Sequence, residues 1–217
     1  HASIIEGRRL SFSNYLKYKH NDMASLEEQL KKCEPDRVKL IVTDGVFSME
    51  GDVCNLPEIC DLARKYKAAV MVDEAHSIGV VGEGGRGVCN HFGLSDEVDL
   101  IMGTFSKSFA SLGGFIACDE TITNFLRHHS RSYIFTASIT PASTAAVDAA
   151  LDIMLNEPER QEQLWKVTHY ALDGFRAMGC EIGNTSTPII PLYIRDQNKT
   201  FAITAELLNE GIFVNPV

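Results

Sequence analysis

The chain has 217 residues, 45% hydrophobic and 23% charged, an ordinary globular composition with room for one large domain or two small ones. A formal charge of −9 and a pI near 5.2 count against a phosphate-tracking nucleic-acid surface. The longest apolar runs, Leu40–Val42 and Ala68–Val72, fall far short of the roughly 18 residues of a membrane span.

Helical and strand-like segments alternate along the chain. Ser25 to Cys33 has helical spacing, with Leu26 and Leu30 on one face. Val38 to Thr43 is a short β-branched run, and Pro57 suits the first turn of a helix reaching Tyr66. Ala68–Val72, Val98–Met102 and Gly114–Cys118 read as strands. Thr140-Pro141 predicts an N-cap and a first-turn proline, opening an Ala-rich helix to about Leu155. Glu157 to Met178 predicts another helix, ended by Gly179. Beyond it come a strand at Ile189–Ile194, a helix at Thr200–Asn209 and a strand at Ile212–Val214.

Mostly apolar strands separated by helices predict an α/β fold, a mainly parallel sheet sandwiched by helices, with ligands at the carboxyl ends of the strands. The change of pattern after Met178 divides the chain into a large domain over 1–178 and the start of a smaller α+β domain over 179–217. The start at His1, without an initiator Met, and the end in Gly211-Ile-Phe-Val-Asn-Pro-Val217 read as the bounds of a segment cut from a longer protein. The six cysteines (33, 54, 60, 89, 118 and 180) form no CxxC pair. They read as reduced, mostly buried thiols of a cytoplasmic protein, with peripheral membrane association left open, and not as metal ligands.

Two motifs pull in other directions. Asp73-Glu-Ala-His76 at a strand end is also how a nucleic-acid helicase holds magnesium beside ATP. That reading needs a G-x-x-x-x-G-K-[ST] loop, and the chain contains no Gly-Lys dipeptide. Gly82-Glu-Gly-Gly-Arg-Gly87 is a literal G-x-G-x-x-G, but a dinucleotide loop must sit tightly between a strand and a helix. Gly82 comes well after the strand ends at Asp73, and Val-Cys-Asn-His-Phe-Gly does not read as a helix opening, so a flexible, turn-rich loop is expected.

The polar residues at strand ends belong together. Asp73 and His76 close one strand; Thr104, Ser106 and Lys107 follow the next; Ser48 lies just beyond Val38–Thr43. Singly, each has an ordinary alternative: a surface lysine, a turn serine, a capping aspartate, a half-buried histidine. Thr136 and Ser138 in the same way precede only the Thr140 cap. Jointly they suit a phosphorylated aldehyde cofactor. A lysine condenses with an aldehyde once desolvation lowers its pKa. An ionised Asp keeps a pyridine nitrogen protonated. A histidine three residues on meets the phenolate, and hydroxyls and backbone N–H groups take phosphate.

HASIIEG, TDGVFSMEGD, VMVDEAHSIGVVGEGGRG and GTFSKSFASLGGFIA resemble, in order and spacing, the α-oxoamine synthases. The resemblance covers nearly the whole chain. It implies the fold type I large domain of pyridoxal 5'-phosphate (PLP) enzymes, and decarboxylating condensation of an amino acid with an acyl-CoA. It also implies a homodimer whose active sites are shared across the interface. Carried over by position, Lys107 resembles the Schiff-base lysine, Asp73 the pyridinium partner and His76 the phenolate partner. Thr104 and Ser106 resemble phosphate ligands, Ser48 a pocket hydroxyl, and His1 the histidine stacked on the ring that contacts substrate. Thr136 resembles the residue that reaches the neighbouring subunit's phosphate. The Gly-aromatic pair and the carboxylate-binding arginine of the family should lie before His1 and after Val217. Within the family, Ser-Lys-Ser is more similar to members that join serine to a long acyl-CoA, giving 3-oxosphinganine. Members acting on glycine or alanine are the alternative, and an inert fragment or lysine-less partner subunit is the non-enzyme one.

Overall fold

The structure, a computed structural model, describes all 217 residues. Four strands form one sheet in the order β1 (Leu40–Asp44), β2 (Ala69–Asp73), β3 (Leu100–Thr104) and β4 (Gly114–Cys118). The first three are parallel and β4 closes the edge antiparallel, as the expected mainly parallel sheet flanked by helices requires. Register sets Asp44 beside Asp73 and Asp73 beside Met102, so β1 and β2 end level while β3 runs on past them to Thr104.

The core lies on one face of this sheet. Ile41 on β1 and Val70 and Val72 on β2 point to it, alternating as a pleated strand demands. Helix α2 (Met23–Leu30) covers it with Leu26 and Leu30, its first turn capped by Asp22, which accepts from the Ser25 N–H at 2.9 Å. Helix α3 (Leu56–Tyr66) begins with Pro57 in its first turn and buries Leu56, Ile59, Cys60 and Ala63, an i, i+3, i+4, i+7 stripe. It ends at Lys67, whose left-handed backbone (φ 52) returns its N–H to the Ala63 and Arg64 carbonyls. Glu27 of α2 binds Lys65 at 2.5 Å and Tyr66 at 2.9 Å and so ties the two helices together.

Helices α1 (Ala2–Ser11), α5 (Glu120–His129) and α6 (Arg131–Phe135) were not expected from periodicity, and none of them buries a residue. Between β2 and β3 the chain also forms α4 (Val88–His91). Helix α7 (Pro141–Asn156) starts at the predicted Thr140 cap, and α8 (Glu159–Ala177) and α9 (Gln197–Asn209) follow. No helix is long and apolar enough to cross a membrane. All six cysteines are unpaired; Cys54, Cys60 and Cys89 are buried and the other three half-buried.

Two expectations fail here. Ile189–Ile194 and Ile212–Val214 form no strand, because no neighbouring strand pairs with them. Apolar β-branched composition gave the propensity, and a strand exists only as a hydrogen-bonded partner. The segment after 178 therefore consists of loop and α9; Ile182, Thr185 and Thr187 are buried there, and both threonines reach the Gly51 carbonyl.

Candidate active site

The carboxyl ends of β1, β2 and β3 carry a cluster of ionisable side chains. Asp73, 6% exposed, ends β2 and accepts from the Ala75 N–H at 3.0 Å, which turns the chain sharply out of the sheet. His76 follows on that turn. Burial first, and then the positive charge of Lys107, hold its imidazole below the ordinary range, against the pull of Asp44 and Asp73. His76 is thus neutral near pH 7, able to donate from one ring nitrogen and accept at the other. Asp44, Asp73 and Lys107 thus all act on the His76 ring, and Asp73 and His76 act on Asp44.

The lysine loop is built by its own backbone. Phe105 donates to the Gly113 carbonyl at 3.0 Å, Ser111 to Phe105 at 2.8 Å and Ala110 to Lys107 at 3.0 Å. Ala110 takes a left-handed backbone (φ 49), a strained choice for a residue with a Cβ. Ser108 Oγ donates to the Ile78 carbonyl at 2.8 Å and fixes this loop to the Asp73–Ile78 turn. Thr104 Oγ1 and Ser106 Oγ lie 2.9 Å apart, a hydroxyl pair next to the Lys107 backbone. Lys107 itself is exposed.

His1 is the N-cap of α1. Its Nδ1 accepts from the Ser3 N–H at 3.3 Å and lies 2.7 Å from Ser3 Oγ, which leaves the proton on Nε2. Its backbone nitrogen lies 3.5 Å from Asp44 Oδ2, at the end of β1, so His1 does reach the strand-end cluster. Ser48 is half-buried in the turn after β1. Thr136 lies just past α6, in a stretch where residues 131–140 are all exposed; no contact links it to the cluster.

Two carboxylates escaped the reading of the sequence. Asp44 ends β1 as Asp73 ends β2, and the strand-end rule applied to Thr43-Asp44-Gly45 would have found it. Its Oδ1 is buried without a hydrogen-bond partner. Burial, and the adjacent Asp73 carboxylate, raise its pKa, while the His1 nitrogen and His76 pull the other way. The second is Glu74, fully buried, whose carboxylate accepts from Val88 N–H at 2.9 Å, Cys89 N–H at 2.7 Å and Ser77 Oγ.

Glu74 also corrects the reading of Gly82–Gly87. The residues after that loop do open a helix, α4, but its first amides are already taken by Glu74, where a dinucleotide pyrophosphate would have to bind. Nor is the loop free to move. Gly79 N–H donates to the Gly85 carbonyl at 2.7 Å and Gly87 N–H to Val81 at 2.8 Å. From α8, Trp165 Nε1 donates to Val80 at 2.8 Å, and Gln161 to Val80 and Gly82.

The chain is similar to known proteins along its whole length. Serine palmitoyltransferase of Bacteroides thetaiotaomicron is 66% identical over 217 residues, covering 100% of this chain and 55% of that protein. An 8-amino-7-oxononanoate synthase of Petrotoga mobilis is 47% identical over 219 residues, covering 100% of this chain and 56% of that protein. A variant serine palmitoyltransferase from S. paucimobilis, solved with PLP and myriocin bound, superposes with a TM-score of 0.94 at 34% identity, over 99% of this chain and 56% of that one. The chain spans about half the length of the curated relatives it matches. The family model of aminotransferase class I and II matches residues 1–217 from end to end, and the chain belongs to that family.

Proposed function

We propose that the protein containing this chain is a PLP-dependent α-oxoamine synthase that condenses L-serine with a long-chain acyl-CoA and releases CO₂, giving 3-oxosphinganine. The observation that carries the reading is the grouping of Asp44, Asp73, His76 and Lys107 at the carboxyl ends of β1 to β3. Asp44 Oδ1, buried and unpartnered, fits a crevice that a polar ligand completes. Lys107 would hold the cofactor's aldehyde carbon, Asp73 its ring nitrogen and His76 its phenolate, with Thr104, Ser106 and the neighbouring backbone taking phosphate. Ser48 would add a pocket hydroxyl, and His1 would face the ring and the substrate carboxylate with its Nε2 proton.

When bound, PLP supplies an electron sink for negative charge at the substrate α-carbon. The chain's own part is electrostatic. Asp73 sets a fixed negative charge at the strand end, and a neutral His76 offers a hydrogen bond without adding positive charge. Lys107 can take and return a proton once its surroundings exclude water. A homodimer that shares its sites across the interface would bring that covering, with Thr136 on the exposed 131–140 stretch reaching the partner's phosphate site. The unpaired cysteines fit a cytoplasmic setting.

The 47% identity to an 8-amino-7-oxononanoate synthase favours a second reading within the same family, in which alanine replaces serine; glycine, as in a glycine C-acetyltransferase, is the remaining alternative. The full-length protein, supplied with serine, glycine or alanine and acyl-CoAs of several lengths, decides by mass-spectrometric product profile. Dominant turnover of serine with a long acyl chain is expected. Faster condensation of alanine or glycine would replace the serine reading, and no condensation with any pair would remove the synthase reading.

A further inference from the structure

The turn that carries Ser48 is closed on itself. Gly51 N–H donates to the Phe47 carbonyl at 2.8 Å, Phe47 N–H to Asp52 at 3.0 Å and Cys54 N–H to Gly45 at 3.0 Å, while Val46 and Val53 bridge its two sides. Such a turn still needs an outside reference if Ser48 is to hold one position relative to the strand ends. The outside contacts converge on its far end. His20 Nε2 lies 3.0 Å from Asp52 Oδ2, and Asn21 Nδ2 donates to the Val53 carbonyl at 2.8 Å.

The more buried reference comes from residues well over a hundred positions away. Thr187 Oγ1 donates to the Gly51 carbonyl at 2.8 Å, and Thr185 Oγ1 lies 3.1 Å from the same oxygen and 2.6 Å from the Ile189 carbonyl. Both threonines are 1% exposed. A hydroxyl has one proton, so Thr185 shares its proton between two carbonyls while Thr187 commits its own to Gly51. Each oxygen also accepts from the backbone, Thr185 from Thr187 N–H at 3.4 Å and Thr187 from Ile189 N–H at 3.3 Å, which fixes the hydroxyls in direction. Gly51 has φ +70, and a Cβ there would collide with the Ile189 carbonyl, so the two segments are in backbone contact.

We propose that Thr187, assisted by Thr185, is a positioning residue: it clasps the Gly51 carbonyl and thereby sets where the Phe47–Gly51 turn holds Ser48 beside the cofactor crevice. The inference rests on the reading of Ser48 as a pocket hydroxyl. It gives the segment after residue 178 a direct mechanical link to the site through a single carbonyl. A displacement of residues 185–189 moves Gly51, and Gly51 is one hydrogen bond from the peptide that precedes Ser48.

The test is a double-mutant cycle in the full-length protein between Thr187→Val, which keeps shape and loses the donor, and Ser48→Ala. Three quantities are measured: PLP affinity of the apoprotein, the visible absorbance of the bound cofactor, and hydrogen exchange at the Gly51 and Asp52 amides without cofactor. Thr187→Val is expected to weaken PLP binding roughly fivefold to tenfold, the effect of one lost hydrogen bond. It should also shift the visible band and speed exchange at both amides, while Thr187→Ser restores all three. In the Ser48→Ala background the same substitution should change affinity less than twofold. If Ser48→Ala has no effect on affinity or spectrum, the reading of Ser48 fails and the inference with it. If Ser48→Ala has its effect but Thr187→Val acts equally in both backgrounds, the clasp is merely structural and the inference alone fails. Should Thr187→Val not fold, Thr185→Val, which removes a shared proton and the weak acceptor of the Thr187 N–H, is read in the same cycle with the same two refuting outcomes.

Discussion

Replacing Glu74 with Gln tests what the middle of Asp73-Glu-Ala-His76 does. The native carboxylate sits in the core with two oxygens and three donors: Val88 N–H and Ser77 Oγ on one, Cys89 N–H on the other. Gln keeps the shape but places an NH₂ where one oxygen was. With the NH₂ turned toward Cys89, the remaining oxygen keeps both Val88 and Ser77, so this arrangement gives up only the Cys89 bond and leaves that N–H facing another donor. A hydrogen bond to a charged acceptor contributes about 1.5–3 kcal/mol, and a buried donor left unsatisfied costs a further 1–3, roughly. Relief from burying a charge offsets part of this, and we expect a net loss of about 3 kcal/mol. That is a large share of the ~5–15 kcal/mol by which domains are stable.

The assay is chemical unfolding of the full-length apoprotein, with hydrogen exchange at Val88 and Cys89 as a local readout. Exchange at Cys89 should rise more than at amides of α3, which shares the core but not the carboxylate. A loss below about 0.5 kcal/mol, or unchanged protection at both amides, would refute the argument that Glu74 caps α4. Glu74→Asp offers an internal control: it keeps the charge but shortens the reach, so it should fail at Val88 and Cys89 together rather than at one.

Lys107→Ala in the full-length protein should leave borohydride unable to fix PLP to the chain, and retention at another lysine would sink the assignment. Asp73→Asn should keep much of the cofactor affinity yet lose several kcal/mol of transition-state stabilisation, roughly 10³-fold or more in kcat; near-normal turnover would make Asp73 structural. Asp44, its pKa raised by burial and by Asp73, contributes stability that is present below 3.8 and lost as pH rises through its folded value. Asp44→Asn should therefore raise the unfolding temperature of the apoprotein at pH 7 more than at pH 3, and equal shifts would contradict this. Gly87→Ala should destabilise by at least ~3 kcal/mol in denaturant unfolding, because φ is +99 and the new methyl would stand 2.8 Å from the Glu74 carboxyl.

Much of this was legible because it is local or periodic. Pro57 and the Leu56–Ala63 stripe specify α3, and Thr140-Pro141 specifies the start of α7, within a single turn of chain. The strand ends were legible because an apolar run that stops at a carboxylate marks where a parallel sheet meets solvent. What escaped depends on distant partners. Val88-Cys-Asn-His lacks an N-cap side chain of its own, so nothing nearby announces a helix; its cap is Glu74, fourteen positions upstream. Ile189–Ile194 has the composition of a strand and no strand beside it. Helix α1 begins at a histidine cap and buries nothing, so no hydrophobic period gives it away.

The four residues Asp73 to His76 show why the motif alone could not decide between a nucleotide site and a cofactor site. A strand that ends and turns sends successive side chains in different directions. Asp73 stays at the sheet edge, Glu74 goes into the core, and His76 comes out within the field of Lys107. A nucleotide-binding use of the motif requires the Glu74 carboxylate to be free at the ligand. Here that carboxylate is held by α4 and Ser77, and Gly45 and Gly87 are glycines where any Cβ would press on it, within 2.9 Å and 2.8 Å. Freeing Glu74 would uncap α4 and release the Gly82–Gly87 loop that α8 braces from the other side. The glycines that made that loop look like a phosphate cradle are the ones that let backbone close over a carboxylate. Damage at Glu74 should therefore surface first as lost stability, and damage at Asp73 or His76 as lost chemistry in a protein that still folds.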